Sequence, residues 1–259
     1  MINSLYKEFA SYYVAATNFR DFTAQMDCVL NSFPPEQPCR SILELFAGQA
    51  LHSVEAIKKG GIEVWAVDSS DEMKKIGIAG GFKNPDQYLL GNLPETLLSF
   101  DSSIKFDGIL CLQHSLSNLT RTSIFELLHY FKKILTQNGK VFIELHNINS
   151  IMKYISNPIV HFNPVQNTSG EPFEYAWPGD TVVWNKYTYK AEVPVKFKIP
   201  TAEGTDTVEF ISEEYIYSAE DIMFLAGLQG FRSSILSDQP QWDQNFDSLV
   251  LELSLEQKS

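Results

Sequence analysis

Residues Ser41–Asp68, SILELFAGQALHSVEAIKKGGIEVWAVD, carry the reading that decides the fold. SILELF is a short apolar run whose one charge is Glu44, as expected of a buried strand. Ala47-Gly48-Gln49-Ala50 is a small-residue turn, and Val54, Ile57 and Lys58 follow at helical spacing. Gly60-Gly61 stops that helix, and IEVWAV runs as a second buried strand into Asp68. Two parallel strands joined by a helix form a right-handed crossover, the repeating unit of a doubly wound sheet. Such sheets bind ligands beyond the carboxyl ends of their strands, where Gly48 and Asp68 both fall.

Gly48 lets backbone N–H groups come close to a ligand, because a side chain there would block the approach. An acid ending the second strand, roughly 20 residues on, suits the two hydroxyls of a ribose. The plainer alternative makes Gly48 a turn glycine and Asp68 a helix cap. A pyrophosphate-binding G-x-G-x-x-G is absent, since Phe46 and Ala50 stand where it needs glycine.

ELFAGQALHS resembles the E/D-x-G-x-G-x-G loop of class I S-adenosylmethionine-dependent methyltransferases, with Glu44, Phe46, Gly48 and Ala50 at the register positions. His52-Ser53 is similar to the His-Ser that often ends the loop in the small-molecule branch. The resemblance implies S-adenosylmethionine as cofactor. Gly48 and the neighbouring backbone of Phe46 and Ala47 would seat its amino-acid end, and Glu44 its ammonium group, directly or through water. Asp68, followed by Ser69, would hold the ribose, and Met73 would cover the adenine. Asn92 would accept from the adenine amino group while the Leu93 N–H donates to the ring. His52, packing at the helix start, and Leu112 and Gln113, at the end of the fourth strand, complete the expected cofactor contacts.

A net charge of −12 argues against nucleic acid, whose phosphates would be repelled, and against an anionic membrane surface. A small molecule, neutral or cationic, is the expected partner. The cysteines Cys28, Cys39 and Cys111 are scattered and lack metal spacing, and no two histidines have ligand spacing, so no metal site is expected. With no membrane-length apolar run and no signal-peptide pattern, the expected location is the cytoplasm. Oligomeric state is left open.

Along the rest of the chain, helices are expected over Leu5–Val14 and Phe19–Phe33, ended by Pro34-Pro35. In the resembled family such a segment lies over the cofactor as a lid, where Tyr13 would face the sulfonium. Ser69 and Glu72 suggest a capping box, and YLLGNLPE a short strand ending near Asn92. FDGILCLQHSLSNL is the buried fourth strand, leaving Gln113-His114-Ser115 at its carboxyl end. No N/D-P-P-Y motif and no strand-end carboxylate follow there, which leaves metal-independent methyl transfer to a small molecule. His114 is the candidate catalytic residue, accepting the nucleophile's proton or lining the pocket, and His146 could touch substrate after the next strand, KVFIELHN. An amphipathic helix spans Arg121–Leu135, Asn138-Gly139 is a turn, and residues Ile151–Val165 have no clear form.

Between Glu171 and Tyr217, alternating apolar and polar residues with a Glu203-Gly204 turn mark antiparallel strands. They read as an insertion over the substrate end, with Trp177 on its aromatic face. Ser218 to Asp221 starts a last helix, followed by two strands. The expected fold is therefore α/β: a doubly wound seven-stranded mixed sheet in one domain, with a helical lid (1–35), a core (41–160 and 217–256) and a β-rich insertion (161–216). Two rival functions share this crossover: a nicotinamide-dependent oxidoreductase, and a binding protein that keeps the fold without turnover.

Overall fold

The chain, seen in a computed structural model that describes residues 2–236, 242 and 247–256, divides into two units. One comprises Asp21–Asn147 and Tyr217–Ser259, the other Met1–Arg20 and Ile148–Ile216. In chain order the elements begin with α1 (Ile2–Leu5), α2 (Ala10–Thr17), α3 (Phe22–Asn31), β1 (Ser41–Leu45), α4 (Leu51–Lys59), β2 (Glu63–Asp68) and α5 (Asp71–Ala79). There follow β3 (Tyr88–Leu90), β4 (Phe106–Cys111), α6 (Arg121–Ile134), β5 (Leu135–Leu145) and α7 (Ile148–Ser156). Next come β6 (Asn163–Gln166), β7 (Pro172–Ala176), β8 (Val183–Asn185), β9 (Lys190–Thr201) and β10 (Gly204–Tyr215). The last elements are α8 (Ala219–Leu228), β11 (Phe231–Ile235) and β12 (Leu249–Leu255).

The first unit is built on a seven-stranded sheet of order β11-β12-β5-β4-β1-β2-β3, as the sequence leads one to expect. β1 through β5 pair in parallel, and β12 runs antiparallel to both β5 and β11. Strand order reverses between β1 and β4, so the crevice for a ligand opens at their carboxyl ends. Alternation along the strands builds two apolar layers. Ile42, Val64, Ala66, Leu110, Phe142 and Val250 cluster with Met26 and Val29 of α3 and Val54 and Ala56 of α4. Their strand neighbours Leu43, Val67, Ile109, Val141 and Ile143 are equally buried and face the opposite way. Each such side chain contributes about 1.5–3 kcal/mol by leaving water.

Local chemistry sets the helix ends. Asp21 caps α3 by accepting from the Ala24 N–H, so the helix starts at Phe22 rather than Phe19. α5 is capped by Ser70, whose Oγ accepts from the Met73 N–H at 3.2 Å; the expected Ser69–Glu72 box is corrected to this position. A Cβ at Gly77 would lie 3.1 Å from the Gln49 carbonyl, so the glycine permits close packing of α5 on the loop after β1. The Asn138-Gly139 turn is absorbed as an irregularity within β5, where pairing jumps from Phe106↔Leu135 to Gly108↔Lys140. Ser218 caps α8 in a full capping box with Asp221, as its sequence suggests.

The second unit is a five-stranded antiparallel sheet, order β10-β9-β7-β6 with β8 on β9. β9 and β10 pair without interruption from Lys190↔Tyr215 to Thr201↔Gly204, closing the hairpin with Ala202-Glu203 instead of Glu203-Gly204. The expected helix over Leu5–Val14 is broken by a turn, with the Phe9 N–H bonded to the Ser4 carbonyl. That break lets Phe9 reach Phe210 (5.3 Å) and Tyr12 reach Phe173 (4.9 Å), so ring packing overrides helix continuity. Of Ile151–Val165, which has no clear form in the sequence, the first residues belong to α7, held by buried Ile151 and Ile155 one turn apart, and the last to β6.

Candidate functional site

The loop from β1 to α4 keeps one backbone conformation at three alternate positions. Phe46, Gly48 and Ala50 have φ of 51°, 53° and 56°, the left-handed region that glycine adopts freely and other residues at about 1–3 kcal/mol. Phe46 and Ala50 thus occupy glycine-like geometry. A Cβ built on Gly48 meets nothing within 4 Å, so open space adjoins the loop at that residue. The Gly48 N–H donates to Asp68 Oδ2 at 2.8 Å, and the Ser70 N–H to Oδ1 at 2.8 Å. Burial pushes the Asp68 carboxyl above its ordinary range, against the downward pull of N–H groups from Gly48, Ser70 and Ser69.

The β3 side closes around this point. The Gly91 N–H donates to the Asp68 carbonyl at 2.9 Å, placing Asn92 and Leu93 just beyond the β2 end. Asn92 is exposed, and its carbonyl accepts from the Thr96 N–H at 2.9 Å. Met73 is buried on α5, and Ser69 is exposed beside Asp68. The Tyr88 hydroxyl donates to the Gly48 carbonyl; burial, with the nearby Asp68 and Glu44 carboxylates, pushes that phenol up and keeps it protonated.

Glu44 points beneath the loop. Its Oε1 lies 3.0 Å from His52 Nδ1, and its Oε2 accepts from the Ser53 N–H at 2.8 Å. His52 Nε2 meets Gln25 Oε1 at 2.9 Å, and the Gln25 amide donates to the Trp242 carbonyl at 2.9 Å. Both Glu44 oxygens are therefore engaged within the chain, fastening α3 and the start of α4 to β1. Gln25 carries no signal in the sequence that singles it out for this role.

At the ends of β4 and β5 a second cluster forms. Gln113 and His114 follow Leu112 with φ of 56° each, a turn two non-glycine residues hold only against strain. The buried Glu144 accepts the Gln113 N–H on Oε2 at 2.7 Å, and its Oε1 lies 3.2 Å from His114 Nε2. Ser248 Oγ lies 2.6 Å from the same nitrogen. The His146 ring stacks on His114 at 3.7 Å. The structure thus brings together Gly48 with Asp68, Glu44 with His52, and His114 with His146. Glu144 and Ser248 were missed, although Glu144 is the one acid in the apolar run VFIEL, as Glu44 is in SILEL.

Tyr13 and Trp177, expected on the substrate side, belong to the antiparallel unit, where their ring centroids lie 6.4 Å apart. Among the described residues no group of three or more His, Cys, Asp or Glu is arranged to hold a metal ion. Burial pushes the Cys39 thiol up to about 12 and that of Cys111 higher, so neither is a thiolate nucleophile at neutral pH. No helix among the described residues is long and apolar enough to cross a membrane.

No protein-family model matches the chain, and no curated protein matches it in sequence. Solved structures match it closely in shape. An S-adenosylmethionine-dependent methyltransferase from Clostridium acetobutylicum aligns at TM-score 0.68 and 17% identity, over 97% of this chain and 99% of that one. The sugar N-methyltransferase KedS8 from Streptoalloteichus aligns at 0.73 and 15%, over 96% and 93%. CalS10, an amino pentose methyltransferase from Micromonospora echinaspora solved with S-adenosylmethionine bound, aligns at 0.71 and 12%, over 96% and 97%. At these identities the likeness establishes the fold.

Proposed function

Starting from a chain with the class I S-adenosylmethionine-dependent methyltransferase fold, we propose that it transfers a methyl group from S-adenosylmethionine to a small-molecule acceptor without a metal. The observation that carries this reading is the Gly48 N–H on Asp68 beside open space, at the strand-order reversal. Each Asp68 oxygen accepts an N–H, from Gly48 or Ser70, and with the Ser69 N–H also drawn to the carboxylate a lone pair remains for a ribose hydroxyl. The left-handed backbone at Phe46, Gly48 and Ala50 supports a loop shaped for close approach despite having one glycine.

In this reading Gly48, Ala47 and Phe46 seat the amino-acid end of the donor, Asp68 and Ser69 its ribose, and Asn92, Leu93 and Met73 its adenine. Leu112 and Gln113 border it from β4. Glu44 and His52 act from below, fixing the loop. The donor, when bound, supplies an electrophilic methyl on a sulfonium. The chain's own work is to align a nucleophile with it and exclude water, which lowers a barrier by at most roughly 7–11 kcal/mol. His114 and His146 line the acceptor side.

The test is thermal denaturation with saturating S-adenosylmethionine, its demethylated product, or nicotinamide dinucleotides. At about 100 times the dissociation constant a ligand adds about 2.7 kcal/mol, a rise of several degrees. The first two are expected to raise Tm and the last to leave it unchanged. A rise with the nicotinamide dinucleotides alone would make the chain an oxidoreductase; no rise with any would leave a fold without turnover.

A further inference from the structure

Gly48 is held at both ends. Its N–H meets Asp68 Oδ2 at 2.8 Å, and its carbonyl oxygen accepts from the hydroxyl of Tyr88 on β3. We propose that Tyr88 is a positioning residue for the donor: its hydroxyl fixes the orientation of the Gly48–Gln49 peptide, and through it the hold on the donor's amino-acid end. This rests on the methyl-transfer reading and assigns to the loop a residue 40 positions further along the chain.

In a trans peptide the C=O and the following N–H point in opposite directions. With the Gly48 carbonyl drawn to Tyr88, the Gln49 N–H is directed away from that ring. Among the described residues this N–H has no hydrogen-bond partner, and Gln49 is partly exposed. A backbone donor turned outward suits the carboxylate of an amino acid. Glycine alone does not secure it. Lacking a Cβ, Gly48 takes other backbone conformations as readily, and the peptide could turn over to present its carbonyl oxygen, which repels an anion. The phenol selects the useful orientation.

Tyr88 is itself fixed on several sides. It is 1% exposed, and its ring meets Phe82 edge-on at 5.4 Å. Its own carbonyl accepts from Lys74 Nζ at 2.6 Å, and it pairs with Ala66 of β2. A Cβ at Gly77 would lie 3.5 Å from Tyr88 Cε2 and 3.1 Å from the Gln49 carbonyl, so α5 closes on the ring and on the loop at one point. A hydroxyl held this firmly is in place before a ligand arrives, and binding spends nothing on ordering it.

The experiment compares the wild type with Tyr88→Phe, which keeps the ring and removes the hydroxyl. Calorimetry uses S-adenosylhomocysteine and 5′-methylthioadenosine, a nucleoside without the amino-acid end. Affinity for the first is expected to fall about five- to tenfold, the worth of one hydrogen bond, and for the second to change less than about twofold. Without ligand, the NMR signal of the Gly48 carbonyl carbon is expected to move upfield in Tyr88→Phe while those of Ala66 and Val67 stay in place. In the ligand-free wild type the Tyr88 hydroxyl proton is expected as a slowly exchanging resonance near the Gly48 α-protons, a reading that needs no variant. An unmoved Gly48 signal, a missing hydroxyl resonance, unchanged S-adenosylhomocysteine affinity, or equal losses for both ligands, as a packing role would give, each overturns the proposal. Absence of binding by the wild type sinks the methyl-transfer reading and the role with it; the other outcomes sink the role alone.

Discussion

Two glutamates sit one residue from the end of their strands, Glu44 in β1 and Glu144 in β5, and each spends its oxygens the same way. One oxygen takes a backbone N–H, from Ser53 at 2.8 Å or Gln113 at 2.7 Å; the other meets a histidine, His52 at 3.0 Å or His114 at 3.2 Å. What differs is the far side of each ring. His52, with its side chain 2% exposed, is closed off by Gln25, and both its nitrogens face oxygen. The His114 side chain is 11% exposed and sits on a strained turn beyond β4, with Ser248 and His146 as neighbours. The same pair of residue types is therefore closed in as a rivet in one place and stands at a partly exposed strand end in the other. The surroundings decide, not the pair.

The sharpest way to break that contrast is Glu44→Ala, which leaves His52 and the Ser53 N–H buried without their partner. It is expected to cost about 3–5 kcal/mol of folding stability, measured by urea denaturation. A loss under about 1 kcal/mol would mean the buried pair fastens nothing. His114→Ala is expected to lower turnover about 10²–10⁴-fold while donor affinity, followed by calorimetry, stays unchanged. Equal losses in stability for both substitutions would erase the distinction between the two pairs.

Smaller effects sharpen the loop above Glu44. Gly48→Ala forces a side chain into φ +53° and into the open space beside the loop. About 1–2 kcal/mol of stability and at least tenfold in donor affinity are expected to be lost, read by denaturation and calorimetry. Ala50→Gly, at φ 56°, relieves strain but loosens the unfolded chain, so a stability change within about 1 kcal/mol is expected. The pH dependence follows from Asp68. Its folded pKa is raised by burial, so on acidification it gains a proton above the usual carboxylate range. The folded chain gains stability from this group as pH falls through that raised value, while donor affinity, which needs the ionised oxygens, is expected to decline over the same window. Affinity measured against pH should lose this decline in Asp68→Asn.

Much of the fold was legible because its signals are local: apolar runs, glycine stops, and a capping serine three residues before an aspartate at Ser218–Asp221. The doubly wound sheet follows from Ser41–Asp68 alone. The geometry was legible where the crossover itself brings residues together, as with Gly48 and Asp68. It was not where distant residues meet. Ser248 lies 134 residues from His114, and Gln25 217 from Trp242, separations that periodicity does not bridge. Phe46 and Ala50 teach a further point. Residue type marked them as departures from a glycine loop, but the backbone takes the glycine conformation anyway. Glu144 left a visible trace as a lone acid in an apolar run, the same trace that singled out Glu44.

The central claim is that the Gly48–Asp68 corner holds the donor nucleoside. Titration calorimetry of the wild type and Asp68→Ala with S-adenosylmethionine and its demethylated product tests it most directly. Binding of both ligands by the wild type, weakened at least tenfold in the variant, is the expected result. Absence of binding to the wild type, or equal affinity in the variant, would contradict it.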